Sequence, residues 1–248
     1  MCQSGIRIAR GNLDNEEVVK LICDNGHETT AFLTIPRFVI YFNKGVEALA
    51  NQYYYEGYSW IYTALEVYRK DFVKAYLSIL NGIDIDIIDK TFDKRFRNSE
   101  NIYGAYAFAY LLHFGITPDV KGAPYPIIQH EEIQRRNEMF HAGKLPSLDN
   151  VLDDCFKIYQ HMFHGHQNFR DSYGVSIIME YFGRRYDSFV SKHNYNDSDV
   201  LSRKFTLLNS DLGVFDFNLD YGEDIPYKSI DDLVEEVRKR EFFYNTKE

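Results

Sequence analysis

Residues 61–79 carry the pattern that most limits what this chain can become. Ile61, Leu65, Tyr68, Phe72, Ala75/Tyr76 and Ile79 recur every three or four residues and stop at Asn81-Gly82. Side chains at that interval return to one face of a helix, so the run predicts an amphipathic helix with a buried stripe and a glycine stop. A helix of this kind needs partners, and the same spacing supplies them on both sides. After Pro36, the residues Val39, Phe42, Val46, Leu49 and Tyr53 form one stripe. Behind Ser99, read as an N-cap, Ile102, Ala105, Tyr106, Ala109 and Leu112 form another that ends at Gly115. Leu148, Val151, Leu152, Cys155, Tyr159, Met162 and Phe163 form a third, with Ser147 as N-cap and Lys157 and His161 late, where the helix dipole favours positive charge. The expected fold is mainly α.

Strand signals lie towards the two ends. Asn25-Gly26 sits between two β-prone runs in residues 18–35, and such a dipeptide accepts the positive φ angles of a tight hairpin. Residues 205–208 and 214–219 read as a second hairpin, and a last helix starts at Ser229, where SIDD has the capping-box pattern. Between these, residues 84–96 read as a short helix, 117–126 as a proline-rich loop, 127–142 and 148–164 as two helices, and 175–191 as one more. The expected organisation is an N-terminal hairpin segment over 1–35, a bundle of four to five helices over 36–166, and an acidic C-terminal extension over 167–248 built as helix, hairpin, helix.

Charge bears on what such a protein can bind. The chain has 28 Lys+Arg against 37 Asp+Glu, a net charge of −9, which argues against holding nucleic acid by long-range attraction alone. The deficit is uneven, however: residues 197–248 hold 13 acidic and 7 basic side chains, so about two-thirds of it lies outside the bundle. Three widely spaced cysteines with no paired framework suit a reducing compartment. No stretch approaches the ~20 apolar residues of a membrane helix, and the N-terminal residues lack the apolar core of a signal peptide. The expectation is a cytoplasmic protein without a membrane partner.

The helix over 127–142, IIQHEEIQRRNEMFHA, has the weakest apolar stripe of the set. Continuing from Ile133 at helical spacing lands on Arg136/Asn137 and then Phe140/His141, so polar groups stand where neighbouring helices place core residues, and local rules tend to fail at functional sites. Arg136-Asn137-x-x-x-His141 would arise only about 0.03 times by chance in a chain with this one's Arg, Asn and His content. It resembles the RNxxxH signature of the HEPN superfamily, many of whose members are metal-independent ribonucleases of toxin–antitoxin, abortive-infection and RNA-processing systems. The resemblance covers about half the chain and implies a HEPN-like bundle, an RNA substrate, a homodimer that pairs two motifs, no cofactor and no metal. A toxin-like protein of this type would also meet an antitoxin or other protein partner.

RNA cleavage without a metal needs a base for the 2′-hydroxyl proton, an acid for the leaving 5′-oxygen and positive donors on the phosphorane between them. His141 is the natural proton carrier, Arg136 offers a charged planar fork to phosphate oxygens, and Asn137 can orient His141 or bind phosphate itself. Glu138 and His130 are candidate substrate-binding neighbours. On an ideal helix Arg136 and His141 diverge by ~140°, so one chain is expected to form an incomplete site. Ordinary roles compete: Arg136 pairing with Glu132 one turn before it, and His141 capping the last carbonyls ahead of Gly143.

Two other constellations compete with the motif. His161, His164 and His166 form the densest histidine cluster, which would suit a transition metal, but Met162 and Phe163 continue a core stripe that leaves His161 and His164 at the wet end of their helix. Tyr53, Tyr54, Tyr55, Tyr58 and Trp60 could stack bases, yet Lys44 and Arg69 are the nearest cations and packing between helices is the simpler role. The competing function is a non-catalytic helical interaction module whose acidic tail binds a protein partner.

Overall fold

The structure, a computed structural model, describes residues 9–10, 18–23, 26, 28–33, 35–118, 128, 130–174, 176–195, 205–208 and 228–244. Among these it is mainly helical, as the periodicity predicts. The described strands are β1 (Ala9–Arg10), β2 (Val18–Cys23), β3 (Glu28–Leu33) and β4 (Phe205–Leu208). The described helices are α1 (Arg37–Ala50), α2 (Tyr54–Ala75), α3 (Ile85–Arg95), α4 (Ser99–Phe114), α5 (His130–Ala142), α6 (Leu148–Tyr173), α7 (Ile177–Lys192) and α8 (Ile230–Tyr244). A π-helical turn, Tyr76–Leu80, ends α2. No helix among the described residues is long and apolar enough to cross a membrane.

The chain divides into two compact units, residues 1–36 with 179–212, and residues 37–178 with 213–248. This grouping differs from the serial order read from the sequence. β2 and β3 form the expected antiparallel hairpin, with Gly26 at φ 76° in its turn. β4, expected to pair with residues 214–219, instead runs parallel to β3, from Thr30↔Phe205 to Leu33↔Leu208. The two ends of the chain therefore share one sheet, in the order β1-β2-β3-β4, where two separate hairpins were expected. Residues 214–219 lie outside the described residues. In the same unit Phe32 is buried and its ring meets Tyr186 and Phe189 of α7, at 5.6 and 5.2 Å between centroids.

In the larger unit α2 is the central element, packed by α1, α4 and α6, while α8 lies against α1 and α6. α1 and α2 approach closely because Gly45 and Gly57 face each other: a Cβ on Gly57 would stand 2.9 Å from the Gly45 carbonyl oxygen and 2.7 Å from Leu49 Cδ2. Tyr58 and Tyr106 are both buried here, where a phenol is costly unless its hydroxyl is bonded. Tyr58 donates to Asp154 Oδ2 at 3.0 Å, and Tyr106 shares a 2.6 Å hydrogen bond with His161 Nε2.

Local signals decide several helix ends. The short helix expected over 84–96 is α3, with Asp84 accepting from the backbone N–H of Asp86 and Ile87. Ser147 caps α6, and at Ser229 the cap is reciprocal: its hydroxyl accepts from Asp232 N–H while its own N–H donates to the Asp232 carboxylate. Ser99 is not the cap of α4. Asn98 is, accepting from Asn101 N–H at 2.8 Å, which frees the Ser99 hydroxyl to donate to Glu66 on α2. α6 passes through residue 166, the expected domain boundary, and continues to Tyr173, where Gly174 in the left-handed region ends it.

Candidate functional site

α5 is short, begins at His130 and carries the whole RNEMFH run. Its inward face is made of charge. Glu132 and Asp154 are only 2% and 0% exposed, and Arg135 joins them: Nε donates to Asp154 Oδ2 at 3.0 Å and Nη2 to Glu132 Oε1 at 3.3 Å. Lys157 adds a 2.9 Å bond to Glu132. Burial, with the charge and hydrogen bond of Asp154 behind it, pushes the Tyr58 phenol far above its ordinary range. The bond from Arg135 to Asp154 likewise keeps that guanidinium charged. α5 is thus fastened to α2 and α6 by a buried ion-pair network, and that accounts for much of its missing apolar stripe.

The opposite side of α5 faces a cleft of about 770 Å³. Arg136, Asn137, Glu138 and His141 all line it, so one chain brings the three motif residues to one wall despite the ~140° that separates Arg136 from His141. They occupy the flank, middle and end of a single broad face. The second wall comes from Tyr62, Glu66 and Arg69 on α2, and the third from the start of α4, including Ser99, Glu100 and Tyr103.

Arg136 is held from three sides. Nη2 donates to Glu66 Oε1 at 3.0 Å, Nη1 donates to Asn137 Oδ1 at 3.0 Å, and the guanidinium lies 5.0 Å from the ring centroids of Tyr62 and of Phe140. Its partner is Glu66, not Glu132, because Glu132 is committed to Arg135 and Lys157. Arg136 Nε is buried without a hydrogen-bond partner. Asn137 therefore orients Arg136. His141 is exposed, lines the cleft and makes no side-chain hydrogen bond among the described residues, so the capping role open to it is not taken up. Glu138 turns to the rim, accepting from Gln134 at 3.0 Å and facing Lys144 at 3.7 Å. His130 opens the helix, but its side chain lies outside the described residues.

Arg69 is a site residue the sequence reading passed over, noting it only as a cation near the tyrosine run. It is 5% exposed, lies 4.9 Å from the Tyr103 ring centroid and 5.6 Å from that of Tyr106, and lines the cleft. Burial raises the Tyr62 phenol, and the charges of Arg69 and Arg136 oppose that rise. The periodicity of α2 held a clue: Arg69 adjoins Tyr68 on a face otherwise occupied by core residues, where an unpaired charge is out of place.

The histidine cluster is different from its expected form. His161, expected at the wet end of its helix with His164, is 2% exposed and bonded to Tyr106; His164 is half-buried, and His166 is 1% exposed beside Ser176 Oγ at 3.4 Å. No group of three or more His, Cys, Asp or Glu side chains able to hold a metal ion occurs among the described residues. Tyr58 of the tyrosine run is buried, while Tyr53 and Tyr55 are exposed and Trp60 stacks on Tyr41 at 5.7 Å. No family model, curated protein or solved structure matches the chain.

Proposed function

We propose that this protein is a metal-independent endoribonuclease of HEPN type, acting in phage defence or a toxin–antitoxin system. One observation carries the reading: Arg136, Asn137 and an unbonded His141 line the same cleft. Arg136 brings to the cleft a planar fork of donors that suits the non-bridging oxygens of a phosphodiester. Asn137 fixes the plane of that fork. An imidazole open to the cleft can take the 2′-hydroxyl proton.

In the proposed step the 2′-oxygen forms a bond to phosphorus as the bond from phosphorus to the 5′-oxygen breaks. His141 accepts the 2′-proton, and an acid returns one to the departing 5′-oxygen. Arg136 stabilises the charge gathered on the phosphorane, where fixed donors contribute most. The products are a 2′,3′-cyclic phosphate and a free 5′-hydroxyl. Base and acid are two roles, and one chain presents one described imidazole to the cleft, so the reading includes a homodimer in which a second copy supplies the other.

The test is an RNA oligonucleotide incubated in EDTA, beside the same oligonucleotide carrying 2′-deoxyribose at the cleaved nucleotide. Cleavage of the first with cyclic-phosphate ends, no cut at the substituted position, and specific activity that falls on dilution to monomer are the expected results. Cleavage at the deoxy position would rule out attack by the 2′-oxygen.

A further inference from the structure

The floor of the cleft holds a charge that the motif does not use. Arg69 is 95% buried by its 5% exposure, yet its Nε has no hydrogen-bond partner, and among the described residues no carboxylate lies within ion-pair distance of it. A buried guanidinium without a counter-ion is costly, and an unsatisfied buried donor in a folded protein calls for a physical reason. Here the group is not sealed in a core: it lines an open cleft beside a second guanidinium, Arg136, whose Nε is also unpartnered. Each of the two rests on a tyrosine ring, Arg69 on Tyr103 at 4.9 Å and Arg136 on Tyr62 at 5.0 Å.

We propose that Arg69, supported by Tyr103, anchors a second phosphate subsite in this cleft, taking the phosphate next to the one that faces Arg136 and His141. The inference rests on the ribonuclease reading for the identity of its ligand. Two guanidinium forks line this cleft, and the carboxylate of Glu66 is bonded to Arg136 and Ser99, not to Arg69. Glu100 and Glu138 also line the cleft, but at more solvated positions where water and salt weaken them, whereas the guanidinium of Arg69 acts in a poorly screened site. The start of α4 at the cleft adds the positive end of its dipole. A single phosphate satisfies one fork, and a chain with consecutive phosphates satisfies both.

The test uses calorimetric titration of the full chain in EDTA with adenosine 3′,5′-bisphosphate, each corresponding monophosphate and inorganic phosphate. Wild type is expected to bind the bisphosphate at least tenfold more tightly than either monophosphate or inorganic phosphate. Arg69→Met removes that gain, and Arg69→Lys, which keeps the buried charge and covers the case in which the methionine variant fails to fold, removes most of it because the fork is lost. Arg136→Ala weakens bisphosphate and monophosphate alike. Equal binding of bisphosphate and monophosphate by wild type, a tenfold gain retained in a folded Arg69 variant, or inorganic phosphate binding as tightly as the bisphosphate would each overturn the proposal. The two readings separate: RNA cleavage without the bisphosphate gain sinks the second subsite alone, and the gain without cleavage sinks the ribonuclease reading while the subsite stands.

Discussion

Arg136 Nη2 donates to Glu66 Oε1 at 3.0 Å, tying the motif helix to α2 across the floor of the cleft. The same Glu66 oxygen accepts from Ser99, so three helices meet at one carboxylate. In the resting protein this carboxylate occupies a donor that a phosphate would use. Glu66→Gln therefore should tighten RNA binding several-fold, as measured by filter binding in EDTA, while costing stability no more than about 1 kcal/mol, the range of partly exposed ion pairs. Weaker RNA binding in a folded Glu66→Gln protein would show that the carboxylate serves only to position Arg136.

Neighbouring arginines should behave in opposite ways. Arg135 is bonded to the fully buried Asp154, and removing one partner of a buried pair costs about 3–5 kcal/mol. Arg135→Ala should lower the melting temperature by on the order of 10 °C. Arg136→Ala should leave the melting temperature within a few degrees and abolish RNA cleavage. Equal thermal effects from the two variants would mean that the inward and cleft-facing sides of α5 have been assigned the wrong way round.

Much of the helical architecture was legible because apolar spacing reports burial directly: the stripes of Ile61–Ile79 and Val151–Phe163 are core stripes, with Ile61, Leu65, Tyr68, Phe72, Val151, Cys155 and Met162 all buried. Caps that depend on one side chain read well at Ser147 and Ser229 and failed at Ser99, because Asn98 competed for the same N–H and Ser99 had a distant partner in Glu66. Long-range pairings left no local signal. Nothing near Phe205 says that it joins β3 in parallel, and nothing near Arg135 says that Asp154 waits on α6. Polarity on α5 has two origins that the sequence does not separate: Arg136, Asn137 and His141 face the cleft, whereas Glu132 and Arg135 are polar because they lock the helix in place.

The buried His166 predicts an acid weakness. Burial first, then the charge of Arg170, lowers its pKa from the ordinary 6.5 to about 3. Below pH 6.5 the unfolded chain binds a proton at this ring that the folded chain refuses, so stability falls as pH drops through the window from about 6.5 to about 3, by about 1.4 kcal/mol per pH unit at most. His166→Asn should remove one proton from that slope. Chemical denaturation of both proteins across the window checks it, and parallel pH profiles would contradict the assignment.

Two glycines in helices should respond with opposite signs to alanine. Gly57→Ala places a methyl 2.9 Å from the Gly45 carbonyl oxygen, where backbone must yield, and should destabilise by about 1–3 kcal/mol. Gly104 on α4 has nothing within 4 Å of a built Cβ, so Gly104→Ala should stabilise by about 0.5–1 kcal/mol through helix propensity alone. Denaturant midpoints measured side by side decide the point, and a stabilising Gly57→Ala would mean that α1 and α2 do not cross at these glycines.

The central claim is that the exposed imidazole at the end of α5 moves the proton of an RNA 2′-hydroxyl. Wild type and His141→Ala, incubated with total RNA or tRNA in EDTA, test it most directly. His141 makes no hydrogen bond among the described residues, so the substitution should leave folding intact while slowing cleavage by roughly 10²-fold or more, the usual worth of a positioned acid or base. Wild-type products should end in 2′,3′-cyclic phosphate. Equal cleavage rates from the two folded proteins, or no cleavage by wild type, would contradict it.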